Sequence, residues 1–219
     1  MINRRIDAML FDFDGTIADT SQDMVSCLNI LLDNHNLKGV ELSHAKNYIS
    51  KGAAGLIDFS CPGIKIDKRN EFIHEYLEIY KKNIFVNTAL FDGVPEVIDL
   101  LIKKKYKWGI VTNKPSYLVI PIIEMLNFIH PPNCIVAGDT LSVKKPNPEP
   151  LLYASKKISC EPIFCAYIGD DIRDITAAKA ANMFSIAAAY GFIDDISKIK
   201  EWGSDYIIKS PLDLEKLIN

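Results

Sequence analysis

The chain has little of what a secreted, membrane-spanning or nucleic-acid-binding protein needs. Its five cysteines, at 27, 61, 134, 160 and 165, form no Cys-x-x-Cys pair and follow no regular spacing. That excludes a zinc ribbon and a disulfide framework, and leaves the thiols as small apolar side chains in a reducing cytoplasm. No apolar run approaches the ~20 residues of a membrane-spanning helix. The basic start Met1-Ile2-Asn3-Arg4-Arg5 is followed by an apolar stretch that meets Asp12 too soon for a signal peptide. The net charge of −3 leaves no basic face for a polyanion. The densest basic runs, Lys81-Lys82 and Lys103-Lys104-Lys105, read as outer helix surfaces, so neither nucleic acid nor a membrane is an expected partner. There is no internal repeat and no low-complexity tract. What is present is apolar: 48% hydrophobic against 24% charged residues in a chain of 219. That is enough for one large domain, or a medium one carrying a smaller one, in a cytoplasmic protein.

Hydrophobic periodicity divides the chain. Ala8 to Phe11 is a short buried strand, and from about residue 88 strands and helices alternate. Strands are expected at 107–111, 134–137, 163–168, 184–188 and 206–208, with helices at 116–127, 148–156, 172–181 and from Leu212. Alternation at crossover-length spacing implies an α/β fold, a parallel sheet with helices on both faces. Residues 20–85 differ, with helical periodicity and no convincing strand. Met24, Val25, Leu28, Leu31 and Leu32 mark one helix face, and Phe72, Ile73, Tyr76, Leu77 and Tyr80 another. The predicted organisation is a core of 1–16 and 88–219, with a helical insert of 17–87 after the first strand.

The most informative run is Leu10-Phe11-Asp12-Phe13-Asp14-Gly15-Thr16. An apolar strand runs into two carboxylates one residue apart and stops in a Gly-Thr turn. Strand alternation predicts Asp12 and Asp14 on one face, about 7 Å apart. At the carboxyl end of a parallel strand that face opens into the crevice where such sheets bind ligands. Paired carboxylates with no adjacent base suit nucleophilic attack on an electrophile, with a hard cation to offset their repulsion. A solvated strand end entering a turn is the alternative, since Asp-Gly favours turns by itself.

Three more polar clusters fall where strands are expected to end. Thr112-Asn113 offers a hydroxyl and an amide to phosphate oxygens, or a helix cap. Lys145, between Lys144 and Pro146, offers a point charge to an anion near a helix start, or is a solvated loop residue. Asp170 and Asp174, four apart at another helix start, face the same way and either join Asp12 and Asp14 or cap the helix.

In order along the chain, Asp12-Phe13-Asp14-Gly15-Thr16, Thr112, Lys145 and Gly169-Asp170 with Asp174 resemble the four motifs of the haloacid-dehalogenase-like hydrolase superfamily. Longer runs resemble its bacterial phosphoglycolate phosphatase family: Phe91-Asp92-Gly93-Val94-Pro95-Glu96, Val111-Thr112-Asn113-Lys114-Pro115, Gly138-Asp139-Thr140-Leu141 and Ala188-Ala189-Tyr190-Gly191. The resemblance implies a Rossmann-like core with a small helical cap, and an enzyme that hydrolyses a small phosphate monoester, 2-phosphoglycolate foremost, as a monomer or homodimer. It implies Asp12 as nucleophile and Asp14 as acid and base. Gly15, Thr112, Asn113 and Lys145 would hold the phosphoryl oxygens. Mg²⁺ would be bound by Asp12, the Asp14 backbone carbonyl, Asp170 and Asp174, an all-oxygen set that favours Mg²⁺ over zinc.

Two departures stand out: Ser50-Lys51-Gly52-Ala53 lacks the first glycine usual in the cap loop, and Asp171-Ile172-Arg173 replaces a frequent Ser-Arg-Asn. Lys51, in the loop expected to dip toward the cleft, is either a reader of a substrate carboxylate or a solvated lysine. Met24 stands where sugar mutases of the superfamily carry a histidine, which favours hydrolysis over phosphomutase action. Pyrophosphatase, nucleotidase and sugar-phosphate phosphatase activities share the same catalytic set. A regulatory binding module is the non-enzymatic alternative.

Overall fold

The computed structural model describes residues 4–218, so Met1, Ile2 and Asn3 of the basic start, and Asn219, lie outside the described residues. Strand β1 (Ala8–Phe11) leads through a turn to the short β2 (Ala18–Asp19). Four helices follow: α1 (Ser21–Asn34), α2 (Leu42–Ala45), α3 (Gly52–Ser60) and α4 (Ile66–Lys82), with a 3₁₀ segment at Lys46–Lys51 between α2 and α3. The chain returns through β3 (Ala89–Leu90), antiparallel to β2, so both connections between insert and core run side by side. The rest alternates: α5 (Val94–Lys103), β4 (Lys107–Val111), α6 (Ser116–Leu126), β5 (Cys134–Val136), α7 (Glu149–Lys157), β6 (Cys165–Gly169), α8 (Ile172–Ala180), β7 (Phe184–Ala188) and β8 (Tyr206–Ile208).

Six strands form one sheet in the order β5-β4-β1-β6-β7-β8, and every pairing is parallel. All four residues of β1 are buried because helices cover both faces. Met9 and Phe11 join Val97, Ile98 and Leu101 of α5 and Val119 and Ile122 of α6 on one side. Ala8 and Leu10 join Leu151 and Ala154 of α7 and Ala177 and Ala178 of α8 on the other. From β1 the chain builds outward through β4 and β5, then crosses to β6, β7 and β8. The crevice beside β1 is thus lined by the carboxyl ends of β1, β4 and β6. The insert has its own apolar cluster of Leu28, Leu31, Leu56, Ile57, Phe72, Tyr76 and Tyr80, joined by Leu118 and Phe192 from the core side. No described helix is long and apolar enough to cross a membrane.

Several elements differ from the expectation. Helix α4 starts at Ile66, well before Phe72, the first residue of its expected apolar face. Helix α5, not singled out from the sequence, buries Val94, Val97, Ile98 and Leu101 at regular helical spacing. The closing segment Pro211–Leu217 is a 3₁₀ helix rather than an α-helix. Its buried residues, Pro211, Leu214 and Leu217, repeat every three positions, which is the 3₁₀ period.

Candidate active site

Asp12 is the first residue past β1, and its backbone N–H still pairs with the Ile168 carbonyl at 2.8 Å. There the strand ends. The N–H groups of Thr16, Ile17 and Ala18 all turn back onto the Phe13 carbonyl, at 3.3, 3.0 and 3.0 Å. Alternation stops short of Asp14, yet both aspartates line the same cavity, their carboxylates on different partners. Asp12 approaches Asp170 and Asp174, one oxygen from each of the three lying within 4.8 Å of the others. The Asp14 carboxylate instead accepts from the Thr20 hydroxyl at 2.6 Å and from the Lys114 ammonium at 2.9 and 3.2 Å.

Lys145, almost wholly buried, anchors the acidic trio. Its ammonium lies 2.9 Å from Asp12, 2.7 Å from Asp174 and 2.8 Å from the Tyr167 hydroxyl, which itself donates to the Val111 carbonyl. Burial alone would lower the Lys145 pKa, but the Asp12 and Asp174 carboxylates outweigh it and raise it. Asp170 accepts from the Phe192 N–H at 2.7 Å and from the Thr16 and Ser50 hydroxyls at 3.3 Å each. Burial first, then the charges of Asp12 and Asp174, hold its carboxyl well above the usual range. Asp174 is pushed up to about 7 by burial, with Lys145 pulling it down and Asp12 pushing it up. One lysine does not balance three converging carboxylates. Hard oxygen donors this close fit a divalent cation.

The phosphate-binding candidates are redistributed. Thr112 is buried at the end of β4, with its hydroxyl oxygen accepting from the Lys114 N–H at 3.2 Å and its side chain lining the central cavity. The Asn113 side chain grips the backbone of Lys145, donating to its carbonyl and accepting from its N–H, both at 3.0 Å. Its amide therefore aims the lysine loop, with one N–H of the NH₂ group spent on the Lys145 carbonyl while the residue lines the cavity. The Gly15 N–H is also taken, by the Ala18 carbonyl at 3.0 Å. Gly15 serves by shape: its φ is +81°, and a Cβ there would collide with the Asp170 carboxylate.

Side chains that the sequence reading left out complete the site. Lys114 carries Asp14, and its ammonium also lies 2.9 Å from the Tyr80 hydroxyl of α4. Arg173 binds Asp171 at 2.7 and 3.0 Å and donates to the Ser50 carbonyl, so both departures from the family pattern meet in one contact between core and insert. The Thr-Asn-Lys run placed Lys114 at a strand end; nothing local to the sequence indicated Tyr80, which arrives from 34 residues away. Lys51 lies at the cavity rim, its ammonium 3.2 Å from Asp194 and stacked over Tyr48. Met24 is buried in the cavity wall. The cavity, about 340 Å³, runs from Asp12, Thr112 and Lys145 up to an apolar wall of Met24, Ile49, Ala53, Tyr76 and Leu77.

Residues 9–188 match the family model described as haloacid dehalogenase-like hydrolase. A phosphoglycolate phosphatase of Xanthomonas campestris is 35% identical over 204 residues, covering 93% of this chain and 92% of that one. An N-acetylmuramic acid 6-phosphate phosphatase of Pseudomonas putida is 32% identical over 216 residues, covering 98% and 97%. Among solved structures, a predicted phosphoglycolate phosphatase from Haemophilus somnus superposes with a TM-score of 0.88 at 25% identity, covering 98% of each chain.

Proposed function

Since this chain belongs to the haloacid dehalogenase-like hydrolases and is a phosphatase, we propose that it hydrolyses a small phosphate monoester by way of an aspartyl-phosphate on Asp12. The observation that carries the reading is the division of labour between the two motif aspartates. Asp12 sits with Lys145 at the acidic trio, and Asp14, in the same cavity, is held by Lys114 and Thr20. Two carboxylates in separate environments can do different work.

In the first step an Asp12 oxygen bonds to phosphorus while the bond to the leaving oxygen breaks, and Asp14 gives that oxygen its proton. In the second, Asp14, now a carboxylate, takes a proton from the water that attacks phosphorus, freeing Asp12 and inorganic phosphate. Lys145 and the Thr112 hydroxyl neutralise and orient the phosphoryl oxygens, and the Asn113 clamp keeps Lys145 in place. The divalent site would be formed by Asp12, Asp170, Asp174 and the Asp14 backbone carbonyl. Mg²⁺ is the ion proposed for this oxygen set, and when bound it offsets the charge of the carboxylates and the phosphate. Helices α1 to α4 act as a cap domain over residues 17–87, shielding the site from water and contacting the leaving group. The substrate proposed first is 2-phosphoglycolate, and the five unpaired cysteines accord with work in the cytoplasm.

One observation favours a second substrate. The cavity, about 340 Å³, is more than a two-carbon ester fills, and its far wall is apolar. A phosphorylated amino sugar acid, of the kind named for the Pseudomonas relative, would occupy it more fully. Phosphate release from p-nitrophenyl phosphate and then from a panel of phosphorylated metabolites, ranked by kcat/KM, tests both. We expect activity that EDTA abolishes and Mg²⁺ restores, with 2-phosphoglycolate ranked first. A first rank for N-acetylmuramic acid 6-phosphate would select the second substrate. Full activity in EDTA would contradict the mechanism.

A further inference from the structure

Tyr80 is a buried phenol whose hydroxyl accepts from the Lys114 ammonium at 2.9 Å. A phenol that accepts still has its own O–H to donate, and among the described residues nothing takes that hydrogen. Its neighbour shows the contrast: the Tyr76 hydroxyl donates to the Met24 carbonyl at 3.2 Å. Burial holds the Tyr80 phenol far above its ordinary pKa, so it keeps the proton. A buried donor left over is costly unless a ligand accepts from it. Tyr80 and Lys114 both line the central cavity. Beside that unspent O–H stands the Lys114 ammonium, whose own donors go to both Asp14 oxygens and to Tyr80, so the phenol supplies the hydrogen bond and the ammonium the nearby positive charge that a carboxylate requires.

Their place along the reaction coordinate is set by Asp14. That carboxylate must reach the leaving oxygen, and Lys114 touches it at 2.9 Å. A group bound by Lys114 and Tyr80 therefore lies on the leaving-group side of the site, beside Asp14. Each basic side chain here has an aspartate partner, Lys114 with Asp14, Lys145 with Asp12 and Asp174, Arg173 with Asp171 and Lys51 with Asp194; what sets Lys114 apart is the buried phenol O–H beside it, which has no acceptor among the described residues. Lys144, also at the cavity, is exposed.

We propose that Lys114 and Tyr80 form a carboxylate-binding site that selects phosphate esters of 2-hydroxy acids, in which the acid group stands next to the ester oxygen. The site joins a lysine of the core to a tyrosine of α4, so an acidic leaving group also ties the insert to the core. This rests on the phosphatase reading above and deepens it by naming the recognition element.

The test compares 2-phosphoglycolate with ethyl phosphate, the same skeleton with a methyl group in place of the carboxylate. In the wild type kcat/KM favours 2-phosphoglycolate. In Tyr80→Phe and in Lys114→Met the ratio of the two values should fall roughly ten- to a hundredfold, the scale of one hydrogen bond to a charged group. Lys114→Arg, which keeps the cation, should retain part of the preference. Tyr80→Phe removes a single oxygen from a packed ring, so it keeps the test open if Lys114→Met fails to fold. A ratio within about twofold of wild type in Tyr80→Phe and in folded Lys114→Met overturns the carboxylate site, whatever happens to the absolute rates. Absence of a preference in the wild type overturns it too. A wild type that hydrolyses no phosphate ester contradicts the phosphatase reading itself, a result distinct from the others.

Discussion

Asp12 and Lys145 show how burial and charge shape a single residue's task. Lys145 is held between Asp12 and Asp174 at 2.9 and 2.7 Å, and Asp170 completes a trio of carboxylates. Replacing Asp12 with asparagine removes a negative charge from that crowd and leaves the shape intact. Asp12→Asn should lose turnover by more than about a thousandfold, because an amide is no nucleophile. In metal-free buffer its Tm should equal or exceed that of the wild type, since Asp170 and Asp174 lose a like-charged neighbour. Activity assays and calorimetry on one preparation check both. Substantial turnover with no deamidation, or a Tm several degrees lower, would count against this account of the trio.

Among the elements, the double connection between α1 and the core stands out. Asp23, in the first turn of α1, is buried and accepts from the backbone N–H groups of Val86, Asn87 and Thr88 at 3.0, 2.8 and 2.9 Å. The Thr88 hydroxyl at 2.7 Å and the Asn87 amide at 3.0 Å add to them. One carboxylate thus fastens the exit of the insert to its entry, beside the β2–β3 pair. Burial alone would raise the Asp23 carboxyl, but these hydrogen bonds together bring it below its ordinary value. A carboxyl lowered in the folded state contributes stability that is complete above the unfolded pKa, about 3.9, and is lost as pH falls through the folded value. Asp23→Asn should cost about 1–3 kcal/mol at neutral pH, because an amide must present an N–H₂ to donors. Urea melts between pH 2.5 and 7 should show a smaller acid-induced loss in the variant than in the wild type. Parallel losses would remove Asp23 from the acid response.

Across the whole molecule, what was legible in the sequence follows from range. The parallel sheet was legible because each strand is a short apolar run ending in polar residues. Asp12, Thr112 and Asp170 were legible because each follows directly on such an end, and Lys145 and Asp174 because each stands by the helix start beyond one; the sheet brings them together. Helix α5 carried its periodicity openly, whereas the 3₁₀ character of Pro211–Leu217 rests on a three-residue repeat too short to separate from an α-helical one. Other features depend on partners far along the chain. Asn113 turns to Lys145 across 32 residues, and Lys114 meets Asp14 across 100. That Asp12 and Asp14 line one cavity yet bind different partners depends on the turn after β1, which strand alternation cannot describe.

The central claim, that Asp12 is the residue phosphorylated during turnover, is tested most directly by a crystal of the wild-type enzyme soaked in beryllium fluoride with Mg²⁺, since the tetrahedral fluoride mimics an aspartyl-phosphate. The account predicts beryllium bonded to a carboxylate oxygen of Asp12, with its fluorides contacted by Lys145 and the Thr112 hydroxyl. An adduct on Asp14, Asp170, Asp174 or any other side chain would contradict it.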